Sequence, residues 1–470
     1  MGRTAHRAVR RAAVRDMGVD DLLWHRFQFA FTIGFHYLFP QLTMGLAALI
    51  VVFKALHART GDPAWADASR FWIRVFGLNF VFGVVTGFPV ELQFATNWGG
   101  FLRQTGGIVG QALFMEGVFA FFLESSLLYV LVKGEAKVST RTHFLLAVAL
   151  WIGSWASAYF VICANAFMQR PGTIASRGAD GVFKLENGAE FLWNDWTHAA
   201  FAHAIAGSVV TAGFVVAATG AWYALRGVHP EHARRFLAAG VLAGFIGAVL
   251  VAWPTGHHRG RLVARHQPAA FAAMEGRFET GAAADLTVIG QPDVAARTLD
   301  NPVRLPGVLS LLAFGTTRAP VLGLEDLPRD AWPDNIELLY YSFHVMVGLG
   351  TLLLALGAWG AIQAFRGKLA TSRRLHWALL AAFPLPYLAN LAGWTTTELG
   401  RQPWLVYGRM RTVDGASPTV HAGTTAFSTL GFVGLYFLLG VLFLALMRRE
   451  IVRGPAARPR PGDAAFRSSP

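Results

Sequence analysis

The stretch AAFAHAIAGSVVTAGFVVAATGAWYAL, residues 199–225, contains no Asp, Glu, Lys or Arg. A run of that length and polarity fits the roughly 20 apolar residues needed to cross a hydrocarbon core about 30 Å thick. Working outward from it, eight further runs of the same kind lie near 25–53, 71–94, 108–132, 143–166, 236–254, 338–365, 375–394 and 425–447. The composition agrees. Of 470 residues 54% are hydrophobic and only 15% are charged, whereas soluble domains carry about 25% charged residues. The expected fold is an all-α polytopic membrane bundle of about nine transmembrane helices.

The formal net charge of +13 does not indicate a nucleic-acid binder, because the basic residues are scattered through short loops and form no single stripe. Cys163 is the lone cysteine, so no internal disulfide is available. The chain divides into a basic N-terminal extension (1–20), helices one to six (21–254), a long extracytoplasmic loop (255–337), helices seven to nine (338–450) and a cytoplasmic tail (451–470). The extension holds Arg3, Arg7, Arg10, Arg11 and Arg15 with no apolar stretch behind them, so it is not a signal peptide. Either it is a disordered basic tail or Met17 is the start. The loop is rich in Pro, Gly and Arg, and a structureless stretch of that length is expected to be functional or disordered.

Short loops rich in Lys and Arg mark the cytoplasmic side. One set carries Lys54, Arg59 and Arg70, then Lys133, Lys137 and Arg141, then Arg226, Arg234 and Arg235, then Arg366, Lys368, Arg373 and Arg374. The opposite loops carry fewer. This places the N-terminus and the long loop outside and the C-terminus in the cytoplasm.

Three carboxylates stand inside spanning segments. Glu91, Glu116 and Glu124 would each cost about 2.5–3.5 kcal/mol on insertion scales, roughly 8–10 kcal/mol together. Such groups mark ion, proton or cofactor sites, the competing reading being a buried Glu that locks two helices. On an ideal helix Glu116 and Glu124 differ by about 80° and about 12 Å, which suits a stepwise proton relay. His36 and His203 are each alone on an apolar helix, where a structural hydrogen bond is as good a reading as ligation. Met346 alone reads as packing. Depth is what distinguishes them: His36, Glu91, Glu116, His203 and Met346 all fall within about three turns of the outer face. Glu398, just past the eighth segment, joins them. Imidazole, thioether and carboxylate are all haem-iron ligands, and a His/Met pair gives a low-spin, electron-transferring haem. No CxxCH is present, so covalent attachment is excluded.

At this point the chain resembles subunit I of cytochrome bd-type quinol oxidases, over about residues 22–450. The resemblance is carried by GFHYLFPQLTMG (34–45), ELQFATNW (91–98), EGVFAFFLES (116–125), ANAFMQRPG (164–172) and above all GWTTTELGRQPW (393–404). It implies three haems and electron flow from quinol to oxygen. His203 and Met346 match the axial pair of a low-spin haem b. His36 and Glu398 match axial ligands of two high-spin haems, one a haem b and the other a haem d or a further haem b, with the assignment of each open. Glu116 and Glu124 match carboxylates on the proton route, while Arg401 and Trp394 match groups beside the haems, where a guanidinium would offset propionate charge. QPAAFAAMEG (267–276) resembles the quinol-site segment, with Glu275 as its acid on a solvent-facing loop; the competing reading of 267–280 is an amphipathic surface helix. Two positions depart from the family pattern: Ala270 stands where Lys is frequent and His344 where Arg is. The long loop is the short variant, as in a cyanide-insensitive branch in which a second haem b takes the place of haem d.

The resemblance also implies a second membrane subunit, with a small single-helix subunit as a further candidate, and a reaction that builds a membrane potential. The competing functions are a proton-coupled transporter, against which no inverted repeat is seen, and a haem-bearing anchor that only relays electrons.

Overall fold

The computed structural model describes residues 19–135 and 137–455. Most of the expected N-terminal extension and cytoplasmic tail, including Met17, lie outside the described residues. Among the described residues nine helices are long and apolar enough to span a membrane: Asp20–Thr60, Pro63–Thr96, Gly99–Lys133, Thr140–Gln169, Gly188–Arg226, Pro230–His266, Ile336–Phe365, Arg373–Arg401 and Ala422–Arg453. Each of the nine apolar runs becomes one of them, and most extend well past the ends of the run. Local chemistry sets several starts. Asp62 accepts from the Ala64 amide at 2.9 Å, Ser139 from Thr142 at 3.0 Å, and Asn335 from Leu338 at 2.9 Å, satisfying amides that the first helical turn leaves unpaired.

Two spans are broken where proline removes a backbone donor. The first divides into Val19–Tyr37 and Pro40–Thr60, the eighth into Arg373–Ala382 and Leu385–Arg401. The third carries two π-helical segments, Gly106–Gly110 and Val118–Glu124, and the sixth is kinked within Val251–Gly256, where Trp253 leaves helical backbone just before Pro254. The fifth and sixth spans pack backbone against backbone. A Cβ on Gly213 would lie 2.4 Å from the Gly244 nitrogen, and one on Gly240 would lie 2.3 Å from the Ala217 nitrogen, the small-residue packing that membrane helices use in the absence of a hydrophobic drive. The third, seventh and ninth spans keep most of their apolar surface outward, with 18%, 17% and 6% of their central windows buried. Those faces meet lipid or a partner.

The interval 255–337 is folded, which corrects the expectation of a structureless stretch. The helix of the sixth span continues through His266; Pro268–Met274 follows, then an antiparallel hairpin pairing Leu286–Asp293 with Thr298–Leu305, then Val308–Phe314. Phe271, Met274, Phe278, Leu309 and Leu324 form its core against Trp196 and Leu339. The short strand pairs Ala175–Arg177 with Phe183–Leu185, and Trp404–Val406 with Met410–Arg411, complete the non-helical part of an otherwise helical fold.

Candidate functional site

One cavity of about 1830 Å³ runs within the bundle and beneath the folded interval 255–337. Single ligand pockets are roughly 300–1,000 Å³, so this space suits more than one large ligand. Every residue picked out from the sequence lines it: His36, Glu91, Glu116, Glu124, His203, Glu275, Met346, Trp394, Glu398 and Arg401. They come from six of the spans and from the loop.

The two imidazoles are held in the same way. Nδ1 of His36 lies 3.3 Å from the Thr86 hydroxyl, and that hydroxyl already donates to the Phe82 carbonyl at 2.7 Å. Nδ1 of His203 lies 3.2 Å from the Thr255 hydroxyl, which donates to the Leu250 carbonyl at 2.7 Å. A hydroxyl has one proton, so each threonine must accept from the ring. Both histidines are thereby fixed as Nδ1–H tautomers, and both Nε2 lone pairs are left for the cavity. A partner on the far ring nitrogen is what orients a metal-ligating histidine.

Glycines clear space beside these donors. A Cβ on Gly87 would stand 2.8 Å from Cε1 of His36, and one on Gly393 would stand 2.7 Å from the Met346 sulfur. Single donors spaced along an apolar-walled cavity suit an iron whose equatorial positions a porphyrin fills. The residues present fit haem.

Glu398 is placed differently from expectation. It sits inside the eighth helix, which runs on to Arg401, and not beyond it. One oxygen accepts from Asn165 Nδ2 at 2.8 Å, and the other accepts from the Arg401 guanidinium. Arg401 is 2% exposed and also donates to the Trp404 and Leu405 carbonyls, at 3.0 and 2.7 Å. Its charge is therefore committed to Glu398, leaving only a buried, unpartnered Nε to offer elsewhere. Each carboxylate oxygen keeps a second lone pair.

Glu91, Glu116 and Glu124 form a series in which each is within electrostatic reach of the next. Glu124 is 3% exposed and ends the π segment Val118–Glu124. The i→i+5 bonding of that segment widens the turn, so the ideal 80° offset between Glu116 and Glu124 does not hold.

Glu275 corrects a second expectation. It lies in the folded interval but does not face solvent: it is 4% exposed, with Oε2 unpartnered. Burial pushes its carboxyl up to about 8, against the pull of the nearby Arg277. The preceding helix, Pro268–Met274, is buried from Ala269 to Met274 and is not an amphipathic surface helix. Ala270 packs there, its Cβ 3.3 Å from where a Cβ on Gly400 would stand. Of the cations that could replace a lysine at 270, Arg277 is the one beside Glu275, while Arg265 is exposed. His344 has its own task. Its two nitrogens lie 2.9 Å from the Tyr340 carbonyl and 3.2 Å from the Thr287 carbonyl, tying the seventh span to the hairpin.

Thr86, Thr255, Asn165 and Gly393 could not be singled out from the linear pattern, because a small polar residue or a glycine on an apolar helix carries no pattern of its own. Arg259 was also missed. It lines the cavity with a buried Nη1 that has no partner. An arginine directly after an apolar run, in HHRGR (257–261), was the available signal.

Comparison with known proteins adds an independent line. The family model for cytochrome bd terminal oxidase subunit I matches residues 24–455. The chain is 30% identical to cytochrome bd-II ubiquinol oxidase subunit 1 of Escherichia coli (strain K12), over 92% of this chain and 96% of that protein. It is 29% identical to cytochrome bd ubiquinol oxidase subunit 1 of Bacillus subtilis (strain 168), over 93% and 94%. The solved structure of bd oxidase from Geobacillus thermodenitrificans superposes with a TM-score of 0.86 at 30% identity, covering 93% of this chain and 99% of that one.

Proposed function

The chain belongs to the cytochrome bd terminal oxidase subunit I family, and from that premise we propose a division of labour among its residues. As a member it is a multi-pass subunit of a bacterial quinol oxidase, uses haem, and works with a partner subunit in the membrane. In our reading three haems occupy the cavity. His203 and Met346 hold a low-spin haem b. His36 and Glu398 each serve one of two high-spin haems, one of them b and the other d or a further b. When bound, the haems supply the one-electron chemistry that links quinol to oxygen. The observation that carries this reading is the pair of threonine-fixed imidazoles with free Nε2 atoms in one cavity. A reduced-minus-oxidised optical spectrum of the purified oxidase tests it: one low-spin and two high-spin components are expected, and a spectrum without a low-spin haem would sink the reading.

The protein's own groups handle protons. Glu275 accepts a quinol hydroxyl proton under the outer loop. Glu116 and Glu124 carry protons from the cytoplasmic side towards the oxygen site. Arg401 orients Glu398, and Trp394 walls the cavity beside it. Proton release outside and uptake inside would build a membrane potential without a pump. The partner would be a subunit II, with a small single-helix subunit as a further candidate. The N-terminus faces outside and the C-terminus the cytoplasm of the inner membrane.

Two expected outcomes follow from the acids. A base must be ionised to accept a proton, and the Glu275 carboxyl is held at about 8 by burial. Quinol-dependent kcat/KM should therefore rise with pH from 6 towards 8 and level off above it. In Glu275→Gln that rise should disappear and the plateau should fall roughly 100-fold, the lower range for loss of a general base, with haem spectra intact. A parental pH profile in this variant would move the quinol site elsewhere. For Glu124→Gln, haem reduction by quinol should survive while oxygen uptake slows by at least about tenfold. Normal turnover from pH 6 to 9 would make Glu124 structural.

A further inference from the structure

We propose that Arg259 is the docking cation for a propionate of the haem that His203 holds, an inference that rests on reading His203 as a haem ligand. Arg259 stands in the first turn of His257–His266. Thr255, which fixes the His203 ring, lies one helical turn earlier in the chain. The Arg259 guanidinium sits 4.8 Å over the Trp196 ring, and Trp196 is 1% exposed, so the indole forms a rigid platform under the charge. Both His203 and Glu398 lie within its electrostatic reach.

No carboxylate among the described residues comes within ion-pair distance of Arg259, and its buried Nη1 has no hydrogen-bond acceptor. Glu398, the nearest candidate anion, is already engaged by Asn165 and Arg401. A guanidinium withdrawn from water without a counter-charge is costly, and its planar fork is matched to carboxylate and phosphate. The anion that belongs in this cavity is the carboxylate edge of a haem. A lipid phosphate offers the same chemistry from a different source. Arg401 was the cation expected to meet a propionate, but its charge is spent on Glu398. Arg259 is the cation that remains, half-buried at the cavity wall with its Nη1 unpartnered.

The test is the midpoint potential of the low-spin haem in the assembled oxidase, measured by spectroelectrochemical titration with haem content determined in parallel. Ferric haem carries one more positive charge than ferrous haem. Removing a nearby cation favours the ferric form and lowers the potential. Arg259→Gln should shift the ferric-to-ferrous ratio at fixed potential about tenfold, about 59 mV for a one-electron couple, and weaken retention of the low-spin haem. Arg259→Lys keeps the charge but not the fork, so it should retain more haem than Arg259→Gln and shift the potential less. Arg259→Gln with parental haem content and an unshifted potential would overturn the proposal. So would equal haem loss in both variants, which would indicate a packing role. A shift seen only in anionic vesicles, and absent in lipid-free detergent, would assign Arg259 to a lipid phosphate and overturn the haem assignment. Absence of a low-spin haem from the parental spectrum is a different result: it would remove the His203 reading itself.

Discussion

A His203→Ala variant is expected to lose the low-spin haem, and Met346→Leu to retain it in high-spin form. The asymmetry follows from the site. His203 presents one free nitrogen, aimed by Thr255, and alanine offers no donor. Leucine fills the space of Met346 but lacks the sulfur, so the iron would keep one protein ligand and lose the other. Loss of a second-shell partner alone costs roughly 10–100-fold in metal affinity or activity, so loss of either first ligand should lower quinol oxidation by at least about 100-fold. A third variant probes geometry without touching a donor. In Gly393→Ala the new Cβ would stand 2.7 Å from the Met346 sulfur, so the sulfur must move, and a partial low-spin to high-spin conversion is expected. The α-band of the reduced enzyme reads all three. An undisturbed low-spin band in His203→Ala and Met346→Leu would remove the pair from the mechanism.

His36→Ala should stop oxygen reduction while the low-spin haem remains reducible by quinol. The expected loss is again about 100-fold or more, with Thr86→Val lying between that variant and the parent, since it removes only the acceptor that fixes the ring. Parental oxygen uptake in His36→Ala would show that this imidazole is not an essential ligand. Glu398 calls for a gentler substitution. Glu398→Ala would strand the buried Arg401 charge, a defect costing about 3–5 kcal/mol at the fully buried limit and less here, where Glu398 keeps 18% of its side chain exposed. Glu398→Gln preserves volume and a hydrogen-bonding oxygen, so a loss of oxygen reduction in it reports on chemistry more than on folding.

The membrane spans were legible because the apolar run is a local property, and lipid enforces it residue by residue. Their ends were not. TTTELGR at 395–401 is polar enough to end a hydropathy window, yet the backbone continues as helix through Arg401, since helical hydrogen bonding is indifferent to side-chain polarity at the interface. Pro40 and Pro384 stand at two helix breaks, yet Pro89 lies inside an unbroken helix, so proline alone does not place a break; the hairpin within 255–337 pairs neighbouring residues, Asp293 with Thr298 and Leu286 with Leu305, but its largely exposed strands carry no clean apolar alternation to announce it. The site residues divide in the same way. Costly groups such as Glu116 and Glu124 announce themselves in apolar surroundings. Thr86 and Thr255 matter only through the ring each one meets, a tertiary relation with no linear signature. Glu275 was picked out but placed in water, because composition cannot tell a folded cap from a loop.

The π segments in the third span have a genetic consequence. Such a segment holds a residue that a regular α-helix of the same turns would not. Deleting one codon between 118 and 124 would let the helix regularise with its flanking turns kept in register, whereas the same deletion in a regular stretch would turn everything after it by about 100° relative to what precedes. The bearing between Glu116 and Glu124 is thus encoded in the count of residues as well as in their identities. Aligned with relatives that lack the segment, it would show as a single-column gap within a membrane helix. A library of point substitutions would never sample that variable; a scan of single-codon deletions and insertions would.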